Sequence, residues 1–419
     1  MLLPNWRLPS WAIPAVYALA AVAAGLLLPR FEAQLFPGFV SGLSTSAVLA
    51  IYTTVGTGMI ALTGIVFSLA FVMVQFSSTA YSPRLVLWVA RDPLLWHSVG
   101  VFSATFLYAI GAMAWVERGE TLGTPFLSSW LVVVLLIASV GMFIALIEKL
   151  SLLQVHRMLA FTADRGRRVI EETYPPIEAP KTKPDPGEYQ RLPVTLTLVH
   201  TGRPKTVQAL DLPLLLDLAS RAGAIVVVTA SVGNTLVEGD VILRVHDGSS
   251  PPDERALRDA VALGGERTFE QDPKYAIRLI VDIAIRALSP AINDPTTAVQ
   301  ALDQIEDLLL RIGRRRLEIG ALRDAAGALR VVVPHPAWED FLILAFDEIR
   351  YCGATSVQVM RRMKALAADL IRALPPERHE SLRHYQKRLD ATIAASFAEA
   401  EEKREASVED RQGLGIPRG

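Results

Sequence analysis

The sequence predicts a membrane α-helical protein: four transmembrane helices followed by a cytoplasmic α+β domain with a small β-barrel-like module and a C-terminal helical bundle. Three observations lead there. Charge is partitioned, with 11 charged side chains among the first 150 residues and 74 among the remaining 269. In that first part, uncharged stretches of 22, 51, 24 and 27 residues lie between Arg7 and Arg30, Glu32 and Arg84, Asp92 and Glu117, and Glu120 and Glu148. Each exceeds the roughly 20 helical residues that a bilayer core of about 30 Å requires. Finally, residues 174–187 hold five prolines in 14 positions, marking a linker into a region where β-alternating runs precede amphipathic helical ones.

Taken in order, the spans fall at about 11–29, 49–76, 97–116 and 129–149, with Trp11, Trp96, Trp115 and Trp130 near their ends, where indoles favour the interface. The 51-residue stretch holds one span, because residues 33–46 carry Pro37, Gly38 and Gly42 and read as a loop. Residues 1–29 are too long an apolar run for a signal peptide, and Leu28-Pro29-Arg30 stands where small residues should precede cleavage. Arg7, Arg84, Arg91, Lys149 and the arginines after it fall on one side of a four-span topology, against Arg30 and Arg118 on the other. The excess of basic residues places both termini and the second half in the cytoplasm.

The second span differs from the others. At 100° per residue, Thr53, Thr57, Gly64, Ser68, Gln75 and Thr79 share an arc of about 80°, while Val55, Met59, Leu62, Val66, Leu69 and Met73 lie opposite. Such a stripe can line a water-filled path in an oligomer, or let helices approach closely and hydrogen-bond. Thr53, Thr57, Ser68 and Gln75 are the pore-lining candidates. Gly100, Ala104 and Gly111 suit close packing on the third span.

Five segments follow from these boundaries: a four-helix transmembrane domain at 1–150, an amphipathic helix and Pro-rich linker at 151–187, a small β-rich module at 188–250, a helical cytoplasmic domain at 251–406 and a flexible tail at 407–419. In the module, 194–200, 224–230 and 240–245 alternate as strands around a helix at 214–221, and Gly233 and Gly239 mark turns. The pattern is similar to the half-barrels of biotinyl and lipoyl carriers. A carrier must present a lysine, however, and residues 206–273 contain none.

Gln271-Asp272-Pro273 is echoed 22 residues later by Asn293-Asp294-Pro295. Asp at an N-cap and Pro at the first helical position start helices at about 273–288 and 295–312; His335-Pro336-Ala337-Trp338 opens a third more loosely, and residues 338–374 and 377–405 close the chain as long helices. Asp282, Arg286, Asn293, Asp294, Thr296 and Thr297 crowd one helix-to-helix turn, where oxygen ligands could hold a divalent cation or a phosphate. Capping and an Asp282–Arg286 pair at i, i+4 account for the same residues structurally. The run Arg314-Arg315-Arg316 reads as a solvated helix end.

No motif for catalysis stands out: the seven histidines form no His-Glu-x-x-His pair, and neither a phosphate loop nor a nucleophile elbow is present. No enzymatic activity, cofactor or metal site is therefore expected. Cys352 reads as a small buried residue and His97 as an interfacial anchor. A net charge of −1 gives no pull toward nucleic acid.

Three stretches together resemble a known family: Leu62–Ser77 leading to Tyr81-Ser82-Pro83-Arg84, Asp272–Ala276, and Ala287–Thr297 with its string Ser-Pro-Ala-Ile-Asn-Asp-Pro-Thr-Thr. They are similar to the bacterial membrane proteins catalogued as domain of unknown function 2254. The resemblance implies four membrane helices and a cytoplasmic domain in a bacterial inner membrane, and carries no activity to transfer. The expected partners are the bilayer, further copies of the chain in a homo-oligomer, and an ion or small ligand. The leading functional expectation is a channel-like or transport oligomer; the alternative is a membrane-tethered scaffold or sensor whose cytoplasmic domain binds a protein, lipid headgroup or small ligand.

Overall fold

A computed structural model describes residues 12–35, 42–80, 93–116, 126–151, 155–182, 185–248 and 252–415. Arg7, Trp11, Tyr81–Arg84, Arg91 and Arg118 lie outside the described residues. The chain divides into two compact units, Met1–Gln154 and Val155–Gly419.

The first unit contains α1 (Ala12–Leu35), α2 (Thr45–Ala80), α3 (Pro93–Val116) and α4 (Phe126–Ser151). All four are long and apolar enough to cross a membrane, over Ala12–Glu32, Thr45–Leu69, Pro93–Val116 and Phe126–Glu148. α1 runs past Pro29 to Leu35, so the loop expected from residue 33 begins later. α3 is the hub, with α1, α2 and α4 all packed on it. Gly25 and Gly111 allow the α1–α3 contact: a Cβ on Gly25 would stand 3.2 Å from the Gly111 Cα. The ring of Tyr17 packs against Gly100, and its hydroxyl lies 3.3 Å from Nδ1 of His97. Between α3 and α4, the buried hydroxyls of Thr105 and Ser139 bond at 2.9 Å.

The second unit combines sheets with helices. Its strands are β1 (Val194–Val199), β2 (Lys205–Leu210), β3 (Ile225–Val228), β4 (Thr235–Leu236), β5 (Val241–His246), β6 (Val261–Gly264), β7 (Ala321–Arg323) and β8 (Leu329–Val332). They form two sheets, in the orders β1-β5-β3-β8-β7 and β4-β2-β6. This corrects the barrel-like module expected at 188–250: neither sheet closes, and β6, β7 and β8 come from beyond residue 250. β3 pairs with β8 in parallel, setting Val226 beside Val331. Parallel neighbours need a long crossover, and the helices between them provide it, so periodicity within 188–250 could not reveal the sheet. Leu198, Val226, Leu243, Val245 and Leu215 make its core.

The helices are α5 (Val155–Thr173), α6 (Leu212–Ala222), α7 (Glu254–Asp259), α8 (Pro273–Ala287), α9 (Pro295–Gly313), α10 (Trp338–Cys352), α11 (Val357–Ala373), α12 (His379–Ser396) and α13 (Ala400–Ala406). Side-chain pairings fix their directions. Arg167 reaches Asp307 at 2.6 Å and Glu171 reaches Arg311 at 2.6 Å, so α5 runs parallel to α9. Gly166 also packs on Ala276, near the start of α8, so α5 and α8 are antiparallel. Tyr174 stacks edge-on against Phe341 while Arg278 bonds Glu348, which sets α10 parallel to α8. Arg362 bonds Asp303 and Glu306 at 2.8 and 2.6 Å, and Arg314 reaches the Ala373 carbonyl, aligning α11 with α9.

The bundle consequently has two distinct ends. One gathers the first residue of α5, the α8–α9 turn, the α10–α11 turn and residues 413–415, since Gly413 packs on Gln358 and Gly415 on Arg361. The other gathers residues 174–182 and the hairpin of β7 and β8.

Four expectations change here. The helix expected over 338–374 breaks after Cys352, where Gly353 ends α10 and the Ser356 side chain accepts from Val359 N–H to start α11. Cys352 is therefore exposed rather than buried. The tail expected to be flexible is docked as far as Gly415: Arg411 pairs with the buried carboxylate of Asp369, and Asp410 is itself buried. Arg315 and Arg316 are not a solvated end, because they donate to the carbonyls of Tyr174, Ile177 and Ala179 and hold the proline-rich segment against the bundle.

Candidate functional sites

The polar stripe of α2 faces away from its own bundle. Tyr52, Val55, Met59 and Val66 are buried, whereas Thr53, Thr57, Gly64, Ser68 and Gln75 are all exposed. Thr53 sits at the edge of the stripe: its hydroxyl donates to the Leu49 carbonyl at 2.8 Å and lies 3.6 Å from Sδ of Met113 on α3. The exposed row is regular along the helix. Thr54, Thr57, Ala61, Gly64, Ser68, Phe71 and Gln75 alternate steps of three and four residues, and every one is exposed. That 3.5-residue period is the seam along which parallel or antiparallel helices supercoil, and all but Phe71 are small or hydrogen-bonding. The row carries no ionised group.

Sequence reasoning missed Glu32. Its carboxylate, 4% exposed, reaches from the end of α1 to the first turn of α4, accepting from Leu127 N–H at 2.6 Å and from Ser128 N–H and hydroxyl at 3.0 and 2.9 Å. It thereby caps free N–H groups of another helix. A lone acid at a span end is the only sequence signal, and nothing in it points to residues 127 and 128.

In the second unit, both Asp-Pro starts form as expected. Asp272 accepts from Tyr275 N–H at 3.2 Å and Asp294 from Thr297 N–H at 3.1 Å. The residue before each carries a left-handed backbone, with φ of +55° at Gln271 and +50° at Asn293. Three of the six residues of the proposed ligand turn, Asp282, Asp294 and Thr297, are drawn into helix and cap contacts. Asp282 accepts from Arg278 Nε at 2.7 Å, and Asp294 also takes the Thr297 hydroxyl at 2.6 Å. Arg286 stands one turn further along α8, while Asn293 and Thr296 are exposed at the turn. Among the described residues no cluster of three or more His, Cys, Asp or Glu is disposed to hold a metal.

The more concave site lies at the first copy. A cavity of about 390 Å³ opens between the C-terminus of α5, the start of α8 and the β7–β8 hairpin, lined by Tyr174, Leu210, Gln271, Lys274, Gly320 and His335 among others. Gln271 anchors one wall, its amide accepting from Leu210 N–H at 3.0 Å and donating to Leu210 C=O at 3.1 Å. Asp272, 2% exposed, is held by Arg267 at 2.6 and 3.1 Å. Burial raises the Tyr174 phenol well above its ordinary range, with Asp272 and Asp340 adding to the effect, so it remains a neutral wall. The first copy was legible as a helix start; that it also borders a cavity depends on β2 and the hairpin, which are distant in sequence.

An uncharacterized protein of Mycobacterium bovis and one of Mycobacterium tuberculosis are each 27% identical to this chain over 386 residues, covering 86% of it and 70% of the relative. No solved structure matches it. The sequence profile of the family described as "predicted membrane protein (DUF2254)" matches residues 7–369. The four apolar helices, the two Asp-Pro helix starts and that match over most of the length agree: the chain belongs to the DUF2254 family of membrane proteins.

Proposed function

We propose that the protein is a channel-like homo-oligomer of a bacterial inner membrane, with both termini and the Val155–Gly419 unit cytoplasmic, and with α2 lining a narrow path. The observation that carries this reading is the outward polar row of α2, set opposite a face buried on α3. Polar residues facing lipid are disfavoured unless they bond within the helix or to a neighbour, and copies of α2 meeting around an axis remove them from lipid. Hydroxyl and amide groups without charge suit a path that wets without trapping an ion. The cytoplasmic unit would assemble or gate it.

Flux from liposomes holding quantified protein tests this. Thr57→Leu and Gln75→Leu should each lower flux at least tenfold with cross-linked oligomers unchanged, and Thr57→Cys should react with a water-soluble thiol reagent. Absence of flux for several ions and potentials, together with an unreactive Thr57→Cys, would overturn the reading.

The cavity favours a second reading, a tethered sensor for a small ligand with an apolar body. Its support is the mainly apolar wall around Lys274 and His335. A compound that raises the melting temperature of the chain but not of Lys274→Met would support it; a library that stabilises neither, or both equally, would count against it.

A further inference from the structure

Six large hydrophobic residues are exposed in the described part of the Val155–Gly419 unit, and three of them, Ile292 (43%), Tyr351 (80%) and Leu414 (61%), stand on the same end of the helical bundle. Ile292 tips the α8–α9 turn, Tyr351 closes α10 beside the α10–α11 turn, and Leu414 lies between the two glycines packed on Gln358 and Arg361 of α11. These segments are far apart in sequence. The helix directions established above bring them together, because α8 and α10 end where α9 and α11 begin.

Val155, the first residue of α5, belongs to this same end. It follows Ser151, the last residue of an apolar helix long enough to span a membrane, by four positions, a tether of at most about 14 Å. His156 and Arg157 are exposed in the first turn of α5. We propose that the end of the bundle bearing Ile292, Tyr351 and Leu414 docks on the lipid headgroup layer, with these three side chains in the interface. Tyrosine favours that zone, with its ring among acyl carbons and its hydroxyl in water. An isoleucine at a turn and a leucine on a docked tail contribute apolar area there, as in other interfacial contacts. The opposite end, with the cavity, stays in water. The proposal concerns a lipid surface and is independent of conduction through α2.

The test uses the full chain in liposomes. Cys352 is the single cysteine, so a Cys352→Ser background accepts one fluorophore at Ile292→Cys, Tyr351→Cys or Leu414→Cys, with Val237→Cys, exposed on the sheet side, as the control. An environment-sensitive label at the first three positions should emit to the blue of the control and be quenched several-fold more by spin-labelled phospholipid than by aqueous iodide. The control should show the reverse. All four positions are exposed, so substitution removes little packing. Iodide quenching equal to the control at all three would overturn the proposal. Blue-shifted emission without lipid quenching would also overturn it, by placing protein rather than lipid against this end.

Discussion

Gln271-Asp272-Pro273 and Asn293-Asp294-Pro295 open α8 and α9 with the same local chemistry and meet different surroundings. At the first, a glutamine grips both backbone groups of Leu210 and an arginine neutralises a buried aspartate. At the second, the asparagine is exposed and the aspartate serves only its own first turn in the bonds described above. One copy joins a helix to a sheet and borders a cavity, and the other turns the chain at the end of a bundle. A motif that specifies where a helix begins leaves open what the helix start will touch.

Substitutions can break this contrast, beginning with the largest effect. Asp272→Ala leaves Arg267 without its carboxylate in a half-buried setting and removes a cap, a loss of about 3 kcal/mol. A circular-dichroism melt of the full chain in detergent should show the bundle transition fall by roughly 6–12 °C. Gly233→Ala comes next at about 2 kcal/mol: Gly233 has φ +88°, and a Cβ there would stand 2.5 Å from Oδ2 of Asp272. Because its neighbour is the same carboxylate, a double substitution with Asp272→Ala should lose less than the two single losses combined.

Gln271→Ala removes two bonds to Leu210 and should lose about 1–2 kcal/mol, seen as faster hydrogen exchange at Leu210, whereas Asn293→Ala should leave exchange in β2 unchanged. Asp294→Ala should lose about 1 kcal/mol, the value of a cap alone. If Asp294→Ala proved as damaging as Asp272→Ala, the surroundings of the first copy would add nothing to its cap.

The smallest effect is a pH dependence. The hydrogen bond from Arg278 holds the Glu348 carboxyl below its ordinary value of 4.5. A lowered folded value means that the bridge stabilises fully above about pH 4.5 and is lost as pH falls further. Half-exposure limits its worth to about 0.5 kcal/mol. Glu348→Gln should match wild-type melting below that range and fall short of it at pH 7.

Much of this was legible in sequence where physics is local. Runs without charge gave four spans, since lipid penalises each ionised group separately, and Asp before Pro gave two helix starts to within a residue. Gly353 and Ser356 were overlooked as a stop and a start, so α10 and α11 read as one helix. What depended on distant partners was hidden: β7 and β8 joining β3, Arg316 reaching Ala179, the tail settling on α11. The stripe of α2 could be read as a face, but whether that face was spoken for required α3. The Asn293 turn was legible as a crowd of oxygen ligands; in the folded chain several of those oxygens serve caps and pairs.

The Glu32 clasp also bears on how the molecule is made. Synthesis is vectorial, and the first N–H group that donates to this carboxylate emerges 95 residues later. Until α4 arrives, α1 ends in an acid whose partners do not yet exist, at the edge of a medium that disfavours it. Closure of the four-helix unit thus follows the order of translation: the carboxylate that ends the first span meets its helix partners only once the last span has been made.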